Sequence, residues 1–271
     1  MRVITLLTDF GLQDGYHGIM KGVIWGIAPG VQIADLTHSI QPQNVLEGAL
    51  VLGRAAPYFP AGTIHVAVVD PGVGTHRRPI AAQLDVYYFI GPDNGLCTVL
   101  LEHARSQSKP VKIVHIDKPE YWLPEISNVF HGRDIFAPIA AHLANGVPLA
   151  DLGTPISDPA LIEIPQPQRT ERGWRGIILQ IDVFGNLATN LERQHLQAAG
   201  CDVQVRLGGE VIHGPVRTFG DGKPGELVAL FDSSGMLNIC VVNGNAAKRL
   251  QAQVGNPVEI TIKKEDISLG V

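Results

Sequence analysis

The sequence has too few cysteines, spaced too widely, for a disulfide framework or a zinc site. Cys97, Cys201 and Cys240 form no pair at the spacing of metal ligands. An odd and sparse set of this kind indicates a reducing compartment and small buried side chains. The N-terminus also lacks the apolar segment and small-residue cleavage site of a signal peptide. We therefore expect a cytoplasmic protein.

Positive charge and long apolar runs are equally scarce. Lys and Arg total 21 against 26 Asp and Glu, the formal net charge is -5, and no basic face is apparent. This balance argues against a nucleic-acid partner. No stretch approaches the roughly 18 consecutive apolar residues of a membrane span, which argues against a membrane partner. The 271 residues are 45% hydrophobic and 17% charged, a composition typical of a globular, well-cored protein.

The first half of the sequence alternates strand-like and helix-like segments. RVITLLTDF, VQIADLTH, GTIHVAVVD and VKIVHI have the composition of strands, and RPIAAQLDVYYFIGPDNG contains strand pieces around a turn. GYHGIMKGVIWGIAP, NVLEGALVLGRAAPYF, LCTVLLEHA and DIFAPIAAHLANG have helical spacing. This alternation predicts an α/β domain with a largely parallel sheet and helices on both faces. Ligands of such folds bind at the carboxyl ends of the strands, where Asp9 and Asp70 fall.

The second half has a different texture. Residues 155–175 are rich in proline and charge, which is typical of a linker. Short apolar runs separated by Gly, Asp and Asn follow, and they predict a small all-β barrel or sandwich. We therefore expect an α/β domain over 1–158, a linker over 159–173 and a β domain over 174–271.

Four polar clusters follow apolar segments at predicted turns. They are TDFGLQDGYHG with Asp9 and Asp14, VVDPGVGTHRR with Asp70, Arg77 and Arg78, FHGRDIFAP with His131, Arg133 and Asp134, and QIDVFGNLATN with Asp182, Phe184 and Asn186. Each also has a structural interpretation, because Asp commonly caps helices and turns, and that interpretation is favoured for Asp134. The DPGVG turn is the better candidate for a site, because a turn alone rarely needs an acid, a histidine and two arginines.

Several motifs of known chemistry are missing. The sequence contains no H-x-E or H-E-x-x-H metal spacing, no Walker A motif, no G-x-G-x-x-G after the first strand and no G-x-S-x-G elbow. What is left is a site of acids, arginine, histidine and aromatic residues, without a metal or a cofactor. Such a site suits a polar, uncharged or cationic small molecule that carries a ring.

A set of longer motifs resembles, in the same order, those of the S-adenosyl-L-methionine hydroxide adenosyltransferases, relatives of the fluorinase and chlorinase. They are LLTDFGLQDGYHGIMKGVI, HSIQPQNVLEGALVL, VVDPGVGTHRRPI, GPDNGL, FHGRDIFAP, IDVFGNLATN and FDSSGML. The resemblance covers nearly the whole chain. It implies a Rossmann-like N-terminal domain with a mainly parallel sheet, followed by a smaller all-β barrel domain. It also implies a homotrimer, with the substrate between the N-terminal domain of one subunit and the C-terminal domain of its neighbour.

The resemblance further implies hydrolysis of S-adenosyl-L-methionine, in which water or hydroxide displaces L-methionine from C5′ and leaves adenosine. The family's catalytic Asp, Arg and His fall on Asp70, Arg77 and His131, with Arg78 as the alternative arginine. Asp70 is expected to hold the water in line with C5′, and Arg77 to keep that carboxylate ionised. His131 is the expected proton acceptor, although the sequence leaves the choice between Asp70 and His131 open.

The resemblance also assigns substrate contacts. They are Asp9 for the ribose hydroxyls, Asp14 and Asp182 for the methionine ammonium or nearby polar groups, Phe130 and Phe184 as apolar walls, and Asn186 and Ser233 as further contacts. The fluorinase has a tyrosine at the position of Asp70 and a serine at that of Gly132, so water is the expected nucleophile here rather than a halide. Two other functions stay open: a non-catalytic S-adenosylmethionine or adenosine sensor, and a metal-dependent nucleoside or phosphoester hydrolase.

Overall fold

A computed structural model describes residues 2–196 and 201–264 of the chain. It divides into two compact units, Met1–Glu163 and Ile164–Val271. The expected linker, 159–173, therefore spans the division between the units. Residues 197–200 and 265–271 of the expected β domain, and the side chain of Cys201, lie outside the described part. Within that part, no helix is long and apolar enough to cross a membrane.

Within the described residues, the first unit contains seven strands and four α-helices. They are β1 (Val3–Thr8), α1 (Tyr16–Ile27), β2 (Gln32–Thr37), α2 (Val45–Ala55), β3 (Ile64–Val68), β4 (Pro79–Leu84), β5 (Tyr87–Pro92), α3 (Thr98–Ser106), β6 (Val111–His115), α4 (Ala137–Ala144) and β7 (Thr154–Ile156). A π-helical turn, Gly132–Phe136, leads directly into α4. The predicted alternation of strands and helices is thus present, including the two strands around a turn at 79–92.

The sheet of the first unit is mixed rather than largely parallel. Its strand order is β2-β1-β3-β5-β4-β6-β7. The pairs β2-β1, β1-β3 and β3-β5 are parallel, whereas β5-β4, β4-β6 and β6-β7 are antiparallel. The reason is the connection between β4 and β5, in which only Asp85 and Val86 join the strands. A two-residue loop makes a hairpin, because a parallel crossover needs a dozen or more residues.

Helices cover both faces of this sheet, as the sequence predicted. Along β1, Ile4 and Leu6 pack into a cluster with residues of α1 and α4. Leu7 points the other way, into a second cluster with residues of α2 and α3. Side chains alternate along a strand, so one apolar run supplies both cores. The polar residues that follow β1 and β3 lie beyond the two covered faces, at the carboxyl ends of these strands.

The second unit is almost entirely β-structure. Its elements are β8 (Gln168–Thr170), β9 (Gly173–Ile181), β10 (Leu187–Glu192), β11 (Cys201–Leu207), β12 (Glu210–His213), β13 (Pro215–Val216), β14 (Leu227–Phe231), β15 (Met236–Val241), α5 (Ala246–Leu250) and β16 (Pro257–Lys264). The sheet order is β12-β11-β16-β9-β10-β15-β14-β13, with β8 added beside β9. Buried side chains from seven of these strands form one main cluster, around which the sheet curls nearly into a barrel. A second, smaller cluster contains Val228, Leu230, Cys240 and Val242.

Candidate active site

A cavity of about 280 Å³ lies in the first unit, at the carboxyl ends of β1 and β3. Asp9 follows β1 directly, and Asp70 lies two residues beyond the end of β3. Neighbouring parallel strands bring these two acids to the same edge of the sheet. The cavity is lined by Asp9, Phe10, Gln43, Val68, Asp70, Pro71, Val73, Val129, Phe130, His131 and Gly132. Four residues predicted from the sequence, Asp9, Asp70, Phe130 and His131, therefore share one cavity.

Arg77 holds Asp70 through two hydrogen bonds. Its Nε donates to Asp70 Oδ1 over 3.1 Å, and its Nη2 donates to Asp70 Oδ2. The two side chains are only 7% and 5% exposed. The guanidinium also lies over the Phe136 ring, 5.5 Å from its centroid. A planar fork of this kind fixes both the position and the orientation of the carboxylate.

The same guanidinium contacts His131 and thereby defines its tautomer. Arg77 Nη2 lies 3.2 Å from His131 Nδ1. An arginine can only donate, so Nδ1 is the acceptor and the neutral ring carries its proton on Nε2. Arg77 is therefore the residue that joins Asp70 and His131 into one cluster.

Arg78 belongs to a different cluster. It donates from Nε to Asp93 over 2.8 Å and from Nη1 to Asp158 over 3.0 Å. Neither acid lines the cavity. Of the two arginines that the sequence left open, Arg77 is the one that contacts Asp70.

Burial acts on both titratable groups of the cluster. The pKa of Asp70 is raised by desolvation, which outweighs the opposing effect of the Arg77 charge. The pKa of His131 is lowered, first by burial and then by the nearby Arg77 charge. Burial thus makes Asp70 a stronger proton acceptor and His131 a weaker one.

Close backbone packing brings the Asp70 loop against the segment that carries His131. Gly74 has a φ of +74°, and a Cβ placed there would lie 2.3 Å from the carbonyl oxygen of Asn128. Only glycine combines this backbone conformation with such an approach. Gly74 of the DPGVG motif therefore serves the close approach of the two loops.

Aromatic rings build one wall of the cavity. Phe130 makes edge-on contacts with Phe10 and Tyr16, with centroids 5.9 and 5.3 Å away. Arg133 lies over the Phe130 ring and forms an ion pair with the buried Asp134. The wall is tightly packed at Gly132, where an added Cβ would meet Met20 and Phe130 at 3.2 and 3.3 Å.

The two acids of the first predicted cluster differ in placement. Asp9 lines the cavity, and its Oδ2 accepts a 2.8 Å hydrogen bond from the Gln43 backbone amide. Gln43 has a φ of +66°, which is unusual for a residue with a side chain. Asp14 is exposed and is not among the residues that line the cavity.

In the second unit, Asp182 shapes its own turn. Its Oδ1 accepts hydrogen bonds from the amides of Phe184 and Asn186, and its Oδ2 accepts one from the Asn186 side chain. Phe184 projects from this turn and is 71% exposed. These partners explain the spacing of Asp182 and Asn186 without a ligand.

Ser233 lies in a different turn. That turn precedes β15, and its Asp232 accepts hydrogen bonds from Ser234 and Asn238. Because Leu187 pairs with Ile239 and Glu192 with Met236, the Asp182 and Asp232 turns lie at opposite ends of the β10–β15 pair. The structure thus separates Ser233 from Asp182, Phe184 and Asn186 within the second unit.

Sequence reasoning missed several residues that line the cavity: Phe10, Gln43, Val68, Pro71, Val73 and Val129. Phe10 was within reach, because it follows Asp9 in the TDFG motif. Gln43 gave no signal, since its contact with Asp9 is made by a backbone amide. Among residues 2–196 and 201–264, no group of three or more His, Cys, Asp or Glu is arranged to hold a metal ion.

Fold and site together define a class: proteins of two units, one a mixed α/β sheet with a buried Asp–Arg–His cluster at its edge, the other a curled β-sheet. Residues 4–153 match the SAM hydroxide adenosyltransferase N-terminal domain, and residues 176–259 match the C-terminal domain of the same family. The chain belongs to the SAM hydroxide adenosyltransferase family.

Individual relatives agree with this membership. An (R)-S-adenosyl-L-methionine hydrolase from Salinispora arenicola is 39% identical, over 95% of this chain and 97% of its own. A fluorinase from Actinoplanes sp. is 30% identical, over 96% of this chain and 97% of its own. Among solved structures, an uncharacterised conserved protein from Thermotoga maritima superposes with a TM-score of 0.87 at 36% identity, covering 95% of this chain and 99% of its own.

Proposed function

We propose that the protein is an S-adenosyl-L-methionine hydrolase that forms adenosine and L-methionine. The observation that carries this proposal is the buried Asp70, held by Arg77 beside His131 at the edge of a cavity. The names of the Salinispora relative and of others at 33–39% identity support the same reaction.

The substrate's chemistry explains why so small a cluster is sufficient. The sulfonium is a permanent cation, and its departing sulfur becomes a neutral thioether. No acid is needed for the leaving group, so the protein has to supply only an oriented nucleophile. Water is a weak nucleophile, and a carboxylate that holds it in line with C5′ contributes through both orientation and proton removal.

Asp70 is the better proton acceptor of the two candidates. Arg77 occupies Nδ1 of His131, and the proton of the neutral ring is on Nε2. From there His131 can donate a hydrogen bond to the water or the substrate, but it cannot accept a proton without changing tautomer. Burial raises the pKa of Asp70 and lowers that of His131, which favours Asp70 as the base.

The remaining site residues keep the roles that the family resemblance implies. Asp9 has one carboxylate oxygen free of the Gln43 amide, which suits a ribose diol. Phe130 supplies an apolar wall. Asp14, Asp182, Phe184, Asn186 and Ser233 are proposed substrate contacts outside this cavity.

Water rather than a halide is the proposed nucleophile. Asp70 places a negative charge where an anionic nucleophile would be repelled. The serine that the fluorinase has in place of Gly132 would meet Met20 and Phe130 at its Cβ here, in already tight packing. Both features favour a neutral water molecule.

The predicted domain architecture, oligomeric state and location of the protein are proposals too. Parallel strands with a cavity at their carboxyl ends support a Rossmann-like first domain. The homotrimer is proposed on the resemblance. The domain limits of 1–158 and 174–271 are proposed on the sequence pattern, the cytoplasmic location on the sparse cysteines, and the absence of a cofactor on the resemblance.

The proposal is tested by incubating the purified protein with S-adenosyl-L-methionine, with and without a chelator. We expect adenosine and L-methionine in equal amounts by chromatography, at a rate that the chelator leaves unchanged. Because the Salinispora relative is named for the (R) form of the substrate, the (R) and (S) sulfonium forms are assayed separately.

Two outcomes would overturn the proposal. Binding of S-adenosyl-L-methionine without turnover would favour the sensor. Loss of activity with the chelator, together with cleavage of a nucleoside or phosphoester, would favour the metal-dependent hydrolase.

A further inference from the structure

A chain of polar side chains runs from α1 and β2 to the end of β1, next to the cavity. Thr8 and His38 are almost completely buried, at 0% and 3% exposure, and Thr8 Oγ1 lies 2.9 Å from His38 Nδ1. His38 Nε2 lies 3.0 Å from Asp35 Oδ1. Lys21 Nζ lies 2.6 Å from Asp35 Oδ2 and completes the chain. The reaction described above uses none of these four residues.

The direction of the hydrogen bonds in this chain follows from the groups present. His38 Nε2 forms no aligned hydrogen bond, but it lies 3.0 Å from the Asp35 carboxylate, which favours the proton of His38 on Nε2 and leaves Nδ1 as an acceptor. The Thr8 hydroxyl therefore donates to His38 Nδ1. The lone pairs of Thr8 Oγ1 are then free to accept, and the Phe10 backbone amide donates to this oxygen over 3.2 Å.

Residue 38 also holds the main chain on the far side of Phe10. The Gly11 amide donates to the His38 carbonyl over 2.8 Å. Side chain and backbone of His38 thus restrain the segment from Thr8 to Gly11 at both ends. Between those ends lie Asp9 and Phe10, which line the cavity.

We propose that His38 is a positioning residue, which acts through Thr8 to fix Asp9 and Phe10 in the geometry that binds the substrate. His38 does not line the cavity itself. The inference rests on the proposed function, because it takes this cavity as the substrate site. It predicts an effect on substrate binding and none on the Asp70 chemistry.

Charged groups on two elements face His38. Asp35 lies on β2, and its charge raises the pKa of His38. On α1, Lys21 lowers it, as does His17, whose ring stacks on that of His38 with 4.4 Å between centroids. Burial has the largest effect, and the pKa of His38 is lowered overall from 6.5. The ring is neutral at pH 7, and protonation at lower pH removes the acceptor of the Thr8 hydroxyl.

The same strand offers a matched control. Thr5 is also fully buried on β1, and its Oγ1 lies 2.7 Å from Nδ1 of the buried His65. Neither Thr5 nor His65 lines the cavity. Replacing either threonine by valine removes one hydroxyl from a buried Thr–His pair and keeps the β-branched shape.

The kinetic test compares Thr8→Val with Thr5→Val. We expect Thr8→Val to raise KM about tenfold while kcat changes less than about twofold, since one restraining hydrogen-bond network is lost. Thr5→Val should leave both constants unchanged, although both variants lower the thermal midpoint. An equal rise of KM in the two variants, or an unchanged KM in Thr8→Val, would overturn the proposal.

A second test needs no substrate and is therefore independent of turnover. NMR follows the Phe10 and Gly11 amides of the ligand-free protein between about pH 8 and pH 5, the range in which histidines titrate. We expect both shifts to titrate with a midpoint below 6.5 in the wild type and to stay flat in His38→Asn. A titration that persists in His38→Asn does not arise from His38 and would overturn the proposal, as would flat amides in the wild type. If S-adenosyl-L-methionine is not hydrolysed, the proposed function fails, and this titration still decides the role of His38.

Discussion

Asp70→Asn is expected to lower kcat by about 10³-fold, because the amide can neither take a proton nor hold the water as a carboxylate does. The affinity for S-adenosyl-L-methionine should stay within about threefold of the wild type, since the substitution removes an interaction of the attacking water and not one of the substrate. Single-turnover rates and calorimetric binding measure the two quantities separately.

Asp93→Asn is the matched control for this substitution. Asp93 is also a buried carboxylate held by an arginine, with Arg78 Nε at 2.8 Å and the Ala160 amide at 2.7 Å. It lies outside the cavity. Both variants should lose thermal stability, because each removes a buried carboxylate from its ion pair with an arginine. A comparable loss of kcat in both would mean that Asp70 acts only through stability.

Arg77→Lys is expected to lower kcat by about 10²-fold and to move the acidic limb of the pH profile upward. A lysine keeps the charge but lacks the fork that joins Asp70 Oδ1, Asp70 Oδ2 and His131 Nδ1. Arg77 now opposes the rise in the pKa of Asp70 that burial causes. With that opposition weakened, the pKa rises further, and ionised Asp70 is available only at higher pH.

The pH dependence of kcat/KM measures this shift. Arg78→Lys is the control, because Arg78 binds Asp93 and Asp158 and contacts neither member of the site. Its acidic limb should coincide with that of the wild type. An acidic limb that stays in place or moves downward in Arg77→Lys would contradict the role given to Arg77.

Much of the first unit was predictable because local pattern decides it. The alternation of strand-like and helix-like segments predicted two covered faces, and the helices formed where the spacing indicated. Strand direction was not readable in the same way. Parallel and antiparallel strands have similar compositions, and the decisive feature was the short loop at Asp85 and Val86. The prediction of a largely parallel sheet failed at that hairpin.

The residues of the site also differ in how far the sequence could predict them. Side chains that follow a strand end, such as Asp9 and Asp70, could be placed at one edge by topology alone. The contact of Arg77, rather than Arg78, with Asp70 depends on how the loop between β3 and β4 folds. The amide of Gln43 and the Thr8–His38 pair have no signature in the sequence. Both contacts join segments that only the three-dimensional fold brings together.

The most direct test of attack by water at C5′ is to find which product receives the oxygen atom of the solvent. The protein is allowed to react with S-adenosyl-L-methionine in ¹⁸O-water, and the products are analysed by mass spectrometry. We expect one ¹⁸O in the 5′-hydroxyl of adenosine and none in L-methionine, because the new bond joins the water oxygen to C5′ as the C5′–sulfur bond breaks. Adenosine without the label, or label in another product, would contradict the proposed reaction.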